Sequence, residues 1–170
     1  MSRYETLYST TPNALGAQDA GVAACLARLP PPPLHILDFG AGQGRDALPL
    51  ARAGYRVTAI DPAPSGLAQI DEAARAEALD IRTLPGSAEA ADEGFDMLLS
   101  NRTLHMILDD EARHRALATL LGWLAPGGHV LLEDERKNIP GLRNVLERHG
   151  RWTWLETTPV RLFARHEGVR

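Results

Sequence analysis

Apolar positions along this chain alternate between short runs and helically spaced stripes. Leu34-His-Ile-Leu-Asp-Phe39 is a short apolar run that ends at Gly40, and it reads as a buried strand. Tyr55 to Ile60 alternates and is rich in β-branched residues, which predicts a second strand. Ile81 to Leu84, Phe95 to Ser100 and His129 to Leu132 supply a third, fourth and fifth. Between them the period lengthens. Arg45 to Ala53 places Ala47, Leu48 and Ala51 on one stripe and stops at Gly54, a natural C-terminal cap. Ser65 is expected to cap a helix reaching about Leu79. Asp109 is expected to cap a longer one through Leu124, with Leu117, Leu120, Leu121 and Leu124 facing inward. Pro126-Gly127-Gly128 is read as the turn into the fifth strand. A last helix, Pro140 to His149, precedes runs at Trp152 to Thr157 and Val160 to Ala164, which Thr158-Pro159 joins as a hairpin.

Four consecutive prolines, Pro30 to Pro33, cannot continue a helix and separate an N-terminal piece from the rest. That piece has its own stripe, Val22, Cys25, Leu26 and Leu29, within a helix expected over Gly16 to Leu29. We therefore divide the chain into an N-terminal helical segment with its proline linker, 1–33, and a main domain, 34–170. Strands alternating with helices imply βαβ units, hence an α/β fold whose mostly parallel sheet is covered on both faces.

At 170 residues, 44% of them hydrophobic, the chain has the dimensions of one globular domain. Cys25 is the single cysteine, so no internal disulfide can form, and a reducing cytoplasm is the expected compartment. The opening Met1-Ser-Arg-Tyr-Glu-Thr6 lacks an apolar signal core, and no run approaches the roughly 20 apolar residues that span a bilayer, so neither secretion nor a membrane partner is expected. The net charge of -4 gives no general attraction to phosphate polymers. Charge is uneven, however: from Arg136 onward eight basic side chains face three acidic ones. The plain reading is a solvated rim; the functional alternative is a basic wall for an acidic substrate.

The informative stretch is Asp38-Phe-Gly-Ala-Gly-Gln-Gly-Arg-Asp46. It lies where a strand gives way to a helix, at the carboxyl edge of the sheet, where doubly wound folds bind ligands. Gly40, Gly42 and Gly44 admit backbone angles closed to other residues and let a ligand lie against the main chain. Seventeen residues past Gly44, at the end of the next strand, Asp61 can accept hydrogen bonds from both hydroxyls of a ribose. The glycines run G-x-G-x-G rather than the dinucleotide G-x-G-x-x-G, and Asp38 stands two positions before them. A carboxylate there repels a pyrophosphate but can hold the cationic amino group of an amino acid. A ligand with an amino-acid end and a ribose end is S-adenosylmethionine.

These residues resemble the class I S-adenosylmethionine-dependent methyltransferases. Asp38 to Gly44 is similar to that family's first motif and Asp61-Pro62 to its acid after the second strand. Phe95-Asp96 with Ser100-Asn101 resembles the fourth-strand motif, and Leu124-Ala-Pro-Gly-Gly128 the turn before strand five. The resemblance spans about residues 34 to 135, and its Gly-Gln-Gly-Arg-Asp46 continuation is similar to the compact tellurite-resistance and thiopurine type. It implies a Rossmann-like, seven-stranded sheet with an antiparallel last strand. It also implies a cofactor site: Asp38, Gly40, Ala41, Gly42 and Gly44 at the methionine end, Asp61 on the ribose, Pro62 near the adenine, and Asn101 closing the pocket. Gly86-Ser87-Ala88-Glu89 resembles the loop after strand three, with Ser87 where relatives often carry the aspartate that binds the adenine amino group; main-chain groups at Ala88 can still read the ring edge.

Methyl transfer to an acceptor lone pair demands alignment above all, and a base only where the acceptor must lose a proton. His105, just after strand four, is the candidate base. Tyr4 and Tyr8 lie in a segment that in many relatives folds over the cofactor. Glu133-Asp134-Glu135 follows strand five at the same edge and is read as an exposed acidic turn. The six histidines show no metal-ligand spacing, and no metal is expected. Ser100-Asn101-Arg102-Thr103 is unlike the Asn-Pro-Pro-Tyr element of amino methyltransferases, and Cys25 is not placed as a cytosine-C5 nucleophile. The expectation is an enzyme with a small-molecule acceptor. An RNA or protein acceptor, or a non-catalytic module that binds the nucleoside, are the alternatives, and the oligomeric state is left open.

Overall fold

The computed structural model describes residues 3–168; Met1, Ser2 and Arg170, which entered the reading of the two termini, lie outside them. Its centre is one seven-stranded sheet of order β3-β2-β1-β4-β5-β7-β6. The strands are β1 (His35–Phe39), β2 (Arg56–Asp61), β3 (Ile81–Pro85), β4 (Phe95–Asn101), β5 (Leu124–Glu133), β6 (Arg151–Thr157) and β7 (Arg161–Gly168). The pairs β1·β2, β1·β4, β2·β3 and β4·β5 are parallel. Only β7 runs against its neighbours, inserted between β5 and β6 through the Thr158-Pro159 hairpin. The expected doubly wound sheet and antiparallel last strand are thus present.

Two-residue alternation sorts the strand side chains between two cores. Leu37, Phe39, Leu98, Val130, Leu132 and Leu162 face α5 (Asp110–Leu121) and α6 (Ile139–His149). Ile36, Val57, Ala59, Met97, Leu99, Leu131 and Phe163 face α2 (Ala20–Leu26), α3 (Ala47–Arg52) and α4 (Pro64–Glu77). The N-terminal stripe joins the second core: Val22 and Cys25 are fully buried there. This is the burial of a parallel sheet, covered on both faces.

Several boundaries move for local physical reasons. The helix expected over Gly16 to Leu29 is shorter, because Gly16 takes φ +70° and Asp19 supplies the cap, accepting from the N–H groups of Gly21 and Val22. Helix α4 starts at Pro64, suited to a first turn, and Ser65 is not its cap. Asp109 caps α5 as expected, accepting from Ala112 N–H at 2.7 Å, but Leu124 opens β5 instead of closing the helix. Pro126-Gly127-Gly128 lies inside β5, where the register against β4 shifts between Phe95 and Met97. One element escaped the pattern: α1 (Arg3–Thr10), a mostly polar helix whose single buried side chain is Tyr8.

Candidate functional site

The carboxyl ends of β1, β2 and β4 meet the N-terminal segment around a cavity of about 310 Å³. Gly40 and Ala41 form its floor, Asp61 and Pro62 one wall, and Asn101, Arg102, Thr103, His105 and Met106 the other. Arg45 and Asp46 close the inner end; Tyr4, Tyr8 and Leu15 cover it.

The glycine turn folds as the spacing requires. Gly40, Gly42 and Gly44 have φ of +83°, +55° and +86°, all left-handed. Asp61 holds the turn in place: Oδ2 accepts the Gly42 N–H at 2.9 Å and Oδ1 the Ala63 N–H at 2.8 Å. Each oxygen keeps a further lone pair for a ligand donor. The turn is also pressed from outside. A Cβ on Gly66, in the first turn of α4, would collide with the carbonyl oxygen of Gly42, so helix and turn touch backbone to backbone. Gly44 packs against Leu48 and Ile70, where a Cβ would meet carbons at 2.9 Å, so it serves close packing and not the cavity.

Behind the floor stands a concentration of buried carboxylates. Asp38, Asp46 and Asp61 are 2%, 4% and 7% exposed. Burial, followed by the proximity of Asp46 and Asp61, raises Asp38 well above the usual aspartate range, and Asp61 is raised too, chiefly by burial. Asp46 accepts from Asn101 Nδ2 and Gln18 Nε2, both at 2.9 Å, with the Arg45 Nε 3.8 Å away. Asp38 Oδ2, Asn101 Oδ1 and Arg45 Nε are buried without a hydrogen-bond partner. Groups like these are satisfied when a ligand bearing both donors and acceptors arrives.

His105 sits in a 3-10 turn, Leu104–Met106, on the cavity wall. Its Nδ1 is buried and unbonded, which leaves Nε2 as the ring atom for the cavity. Among the described residues no carboxylate is hydrogen-bonded to the ring, although Glu135 interacts with it electrostatically; the turn sets its position. Asp134, expected in an exposed acidic turn, is 4% exposed and accepts the His105 main-chain N–H at 2.9 Å. Its other oxygen accepts from Glu135 N–H and Asn138 Nδ2. From the opposite side, buried Arg113 donates to the carbonyls of Leu104 and Ile107 at 3.1 and 2.7 Å.

The N-terminal segment is stitched over this site. Glu5 accepts from the Ser65 N–H at 3.0 Å and from its hydroxyl. Gln69 Nε2 donates to Tyr8 O, and Gln43 bridges Ala14 N–H, Thr11 O and Gln69 Oε1. Tyr8 lies over Gly42, and Thr103 leans onto Gly40. Of the residues singled out in the sequence, Gly40, Ala41, Asp61, Pro62, Asn101 and His105 line the cavity. Asp38 lies behind it and Gly42 under Tyr8. Ser87 and Ala88 are not brought to it: the Ser87 hydroxyl donates to Glu89, and Ala88 is buried in the core. Their loop does start at the same edge, with Gly86 N–H donating to Asp61 O at 3.1 Å. Arg45, Asp46, Arg102, Thr103, Met106 and Leu15 were missed; the available signal was that Arg45 and Asp46 directly follow the third glycine and Arg102 and Thr103 the end of β4.

A doubly wound sheet with a glycine turn after β1 and an acid after β2 defines a nucleoside-binding Rossmann-like domain. The family described as "Methyltransferase domain" matches residues 36–128, more than half of the chain, and the protein belongs to it. The cofactor of this family is S-adenosylmethionine, and the buried carboxylates at the cavity, the unpartnered Oδ2 of Asp38 behind it and the bare main chain of the glycine turn fit that sulfonium nucleoside. The chain is 41% identical over 100 residues to a ubiquinone biosynthesis O-methyltransferase of Methylocella silvestris, covering 56% of this chain and 37% of the relative. It is 31% identical over 102 residues to the probable S-adenosyl-L-methionine-dependent methyltransferase TehB of Haemophilus influenzae, covering 59% and 35%. The H. influenzae TehB crystal structure superposes with a TM-score of 0.66 at 22% identity, over 96% of this chain and 65% of that one. The T. thermophilus 16S rRNA methyltransferase RsmC, in complex with AdoMet and guanosine, does so at 0.70 and 24%, over 90% and 44%. These likenesses establish the fold. The chain spans between a third and a half of the length of the curated relatives it matches.

Proposed function

We propose that this domain transfers the methyl group of S-adenosylmethionine to a small-molecule acceptor. The observation that carries the reading is the cavity between the glycine turn and Asp61, backed by buried Asp38, whose Oδ2 has no hydrogen-bond partner. In this reading Asp38 and Asn101 hold the amino-acid end, Gly40 to Gly42 underlie it, and Asp61 grips the ribose. Pro62 and the Ser87-Ala88 loop lie toward the adenine. Helix α1 and the loop to Leu15 act as the cover. The bound cofactor supplies a methyl carbon activated by positive sulfur. What the chain contributes is alignment and exclusion of water: Tyr4, Tyr8 and Leu15 close the space above the reacting centre. The acceptor lone pair forms the new bond to carbon as the carbon–sulfur pair returns to sulfur, leaving a neutral thioether. Where the acceptor is a hydroxyl or thiol, its proton passes to Nε2 of His105, whose own ring proton then sits on Nδ1.

The small-molecule acceptor is supported by the cavity's size and by two relatives named for ubiquinone biosynthesis and TehB. Much of the basic C-terminal rim is already neutralised: Arg161 pairs with Glu133, Glu156 and Asp19, Arg143 with Glu147, Arg165 with Glu167, and Lys137 with Glu135. The test is incubation with methyl-labelled cofactor and a metabolite extract, then with total RNA. Label in the small-molecule fraction is expected. Label in RNA alone overturns the acceptor class, and tight S-adenosylhomocysteine binding with no label in either fraction overturns catalysis.

A further inference from the structure

The two sides of the cavity differ in chemistry. The inner end holds Arg45 beside the carboxylate of Asp46, with Asp61 on the adjoining wall; the outer wall offers Arg102, His105 and Met106, facing Tyr4 and Leu15. Arg102 has φ +58°, rare for a residue with a Cβ, and its N–H donates to Glu133 O at 2.8 Å. Such strain gathers at functional sites. Among the described residues the Arg102 side chain has no hydrogen bond or ion pair within 4.0 Å, and its electrostatic neighbour is Glu135, whose pKa it helps to lower. The nearby acid, Glu135, is occupied by Lys137 at 2.9 Å. Beside this cation, which no carboxylate pairs at short range among the described residues, the lining carries large apolar side chains that stay open: Leu15 is 40% and Met106 48% exposed, and Leu108, just beyond, is 90% exposed. Exposed apolar groups clustered at a cavity mouth mark where an apolar ligand surface rests.

We infer that the methyl acceptor is a small anion with an apolar, ring-sized body, resting on Leu15 and Met106 beneath the Tyr4 hydroxyl that donates to Met106 Sδ at 3.9 Å, with its charged group at Arg102. The inference rests on the methyltransferase reading of the cavity and adds the acceptor's charge and polarity. A cationic acceptor would lie beside both Arg102 and the positive sulfur of the cofactor, where like charges repel; an anionic one is attracted by both. The wall presenting Arg102 is fixed in advance by Asp134 and Arg113, so the charge is held in place before the acceptor arrives.

The test uses the protein saturated with S-adenosylhomocysteine and three probes sharing a dihydroxyphenyl ring: 3,4-dihydroxybenzoate, catechol and dopamine. Calorimetric titration should rank them anion, neutral, cation, with the benzoate bound about tenfold or more tighter than dopamine. In Arg102→Asn, whose side chain tolerates the left-handed backbone, the benzoate should fall to within about twofold of catechol. Unchanged S-adenosylhomocysteine affinity in that variant shows that the site is intact. Equal or tighter binding of dopamine, a benzoate preference that survives the substitution, or no binding by any probe overturns the inference. Failure of S-adenosylhomocysteine itself to bind overturns instead the reading beneath it.

Discussion

The carboxylate of Asp134 accepts the main-chain N–H of His105 at 2.9 Å, so a buried charge at the end of β5 fixes the turn that forms one wall of the cavity. Asp134→Ala leaves that N–H, and the Asn138 amide, without their acceptor. The expected cost is about 1–3 kcal/mol of stability, the scale of an unsatisfied buried polar group. Amide hydrogen exchange should quicken at residues 104–106, while S-adenosylhomocysteine affinity stays within about twofold, because Asp134 touches none of the cofactor-side residues. Unchanged exchange in this segment would remove Asp134 from the positioning role.

What the sequence made legible here was whatever depends on local backbone chemistry. The glycine spacing announced left-handed turns, Asp109 announced a cap, and the β-branched alternation announced strands in the right order. Asp61 was legible because a strand end at that spacing has a fixed place in a doubly wound sheet. Relationships between distant segments were not. Helix α1 buries only Tyr8, so it leaves no apolar stripe to read. Asp134 looked like one of three surface acids, since its partner is a main-chain N–H 29 positions away. Ser65 has the composition of a cap, but its hydroxyl is drawn to Glu5, on a helix 60 residues earlier. Gly66 gave no signal, because its requirement is the Gly42 carbonyl pressed against it.

That contact yields a second prediction. Gly66→Ala forces a methyl group onto a backbone oxygen that cannot rotate away, so α4 and the glycine turn must separate. We expect a loss of about 1–3 kcal/mol in stability, as for other overpacked sites. A weakening of S-adenosylhomocysteine binding by about tenfold is expected alongside it, read by calorimetry at a temperature where the variant is folded. Full affinity would show that the turn's position does not matter to the ligand.

Replacing Asp61 with alanine removes the group proposed to hold the ribose. Affinity for S-adenosylhomocysteine should drop by roughly 1.5–3 kcal/mol, the range for hydrogen bonds to a charged group. NAD should bind neither protein. An unaltered Kd would take Asp61 out of the ribose site.

Asp38 gives a proton-linkage test. Its pKa is raised by burial first and by Asp46 and Asp61 second, so the free folded protein holds a proton that the unfolded chain releases near pH 4. The free protein therefore loses stability as pH climbs from about 4 through the folded pKa. A cationic amino group bound at Asp38 favours the ionised form, so binding expels the proton and affinity rises over the same interval. Titrations in buffers of different ionisation heat should report net proton release, and Asp38→Asn should reduce it, leaving the part that Asp61, also raised by burial, contributes. Proton uptake on binding would contradict the assignment.

On β5 and at the end of α6 the sign reverses. Burial lowers His129 and His149, and His149 stacks near His166 and Trp152 with centroids 5.4 and 6.5 Å away. Their unfolded pKa lies near 6.5, so stability is complete above it and is lost as pH falls toward the lower folded values. Thermal melts between pH 7 and 5 should show a falling Tm, with a shallower fall in His149→Phe, which keeps the ring stack. An equal slope in both proteins would exclude His149 as the source.

Helix α1 is held to the rest of the molecule by the buried Tyr8 ring, by Gln69 donating to the Tyr8 carbonyl, by the Tyr4 hydroxyl on Met106 Sδ, and by Glu5, latched to Ser65. These eight residues form a door held shut by side-chain contacts, and two of them, Tyr4 and Tyr8, line the cavity above Gly40. Exit of the spent nucleoside then waits on unlatching, so Glu5→Gln is expected to speed ligand departure in stopped-flow traces more than it alters the tightness of the closed complex.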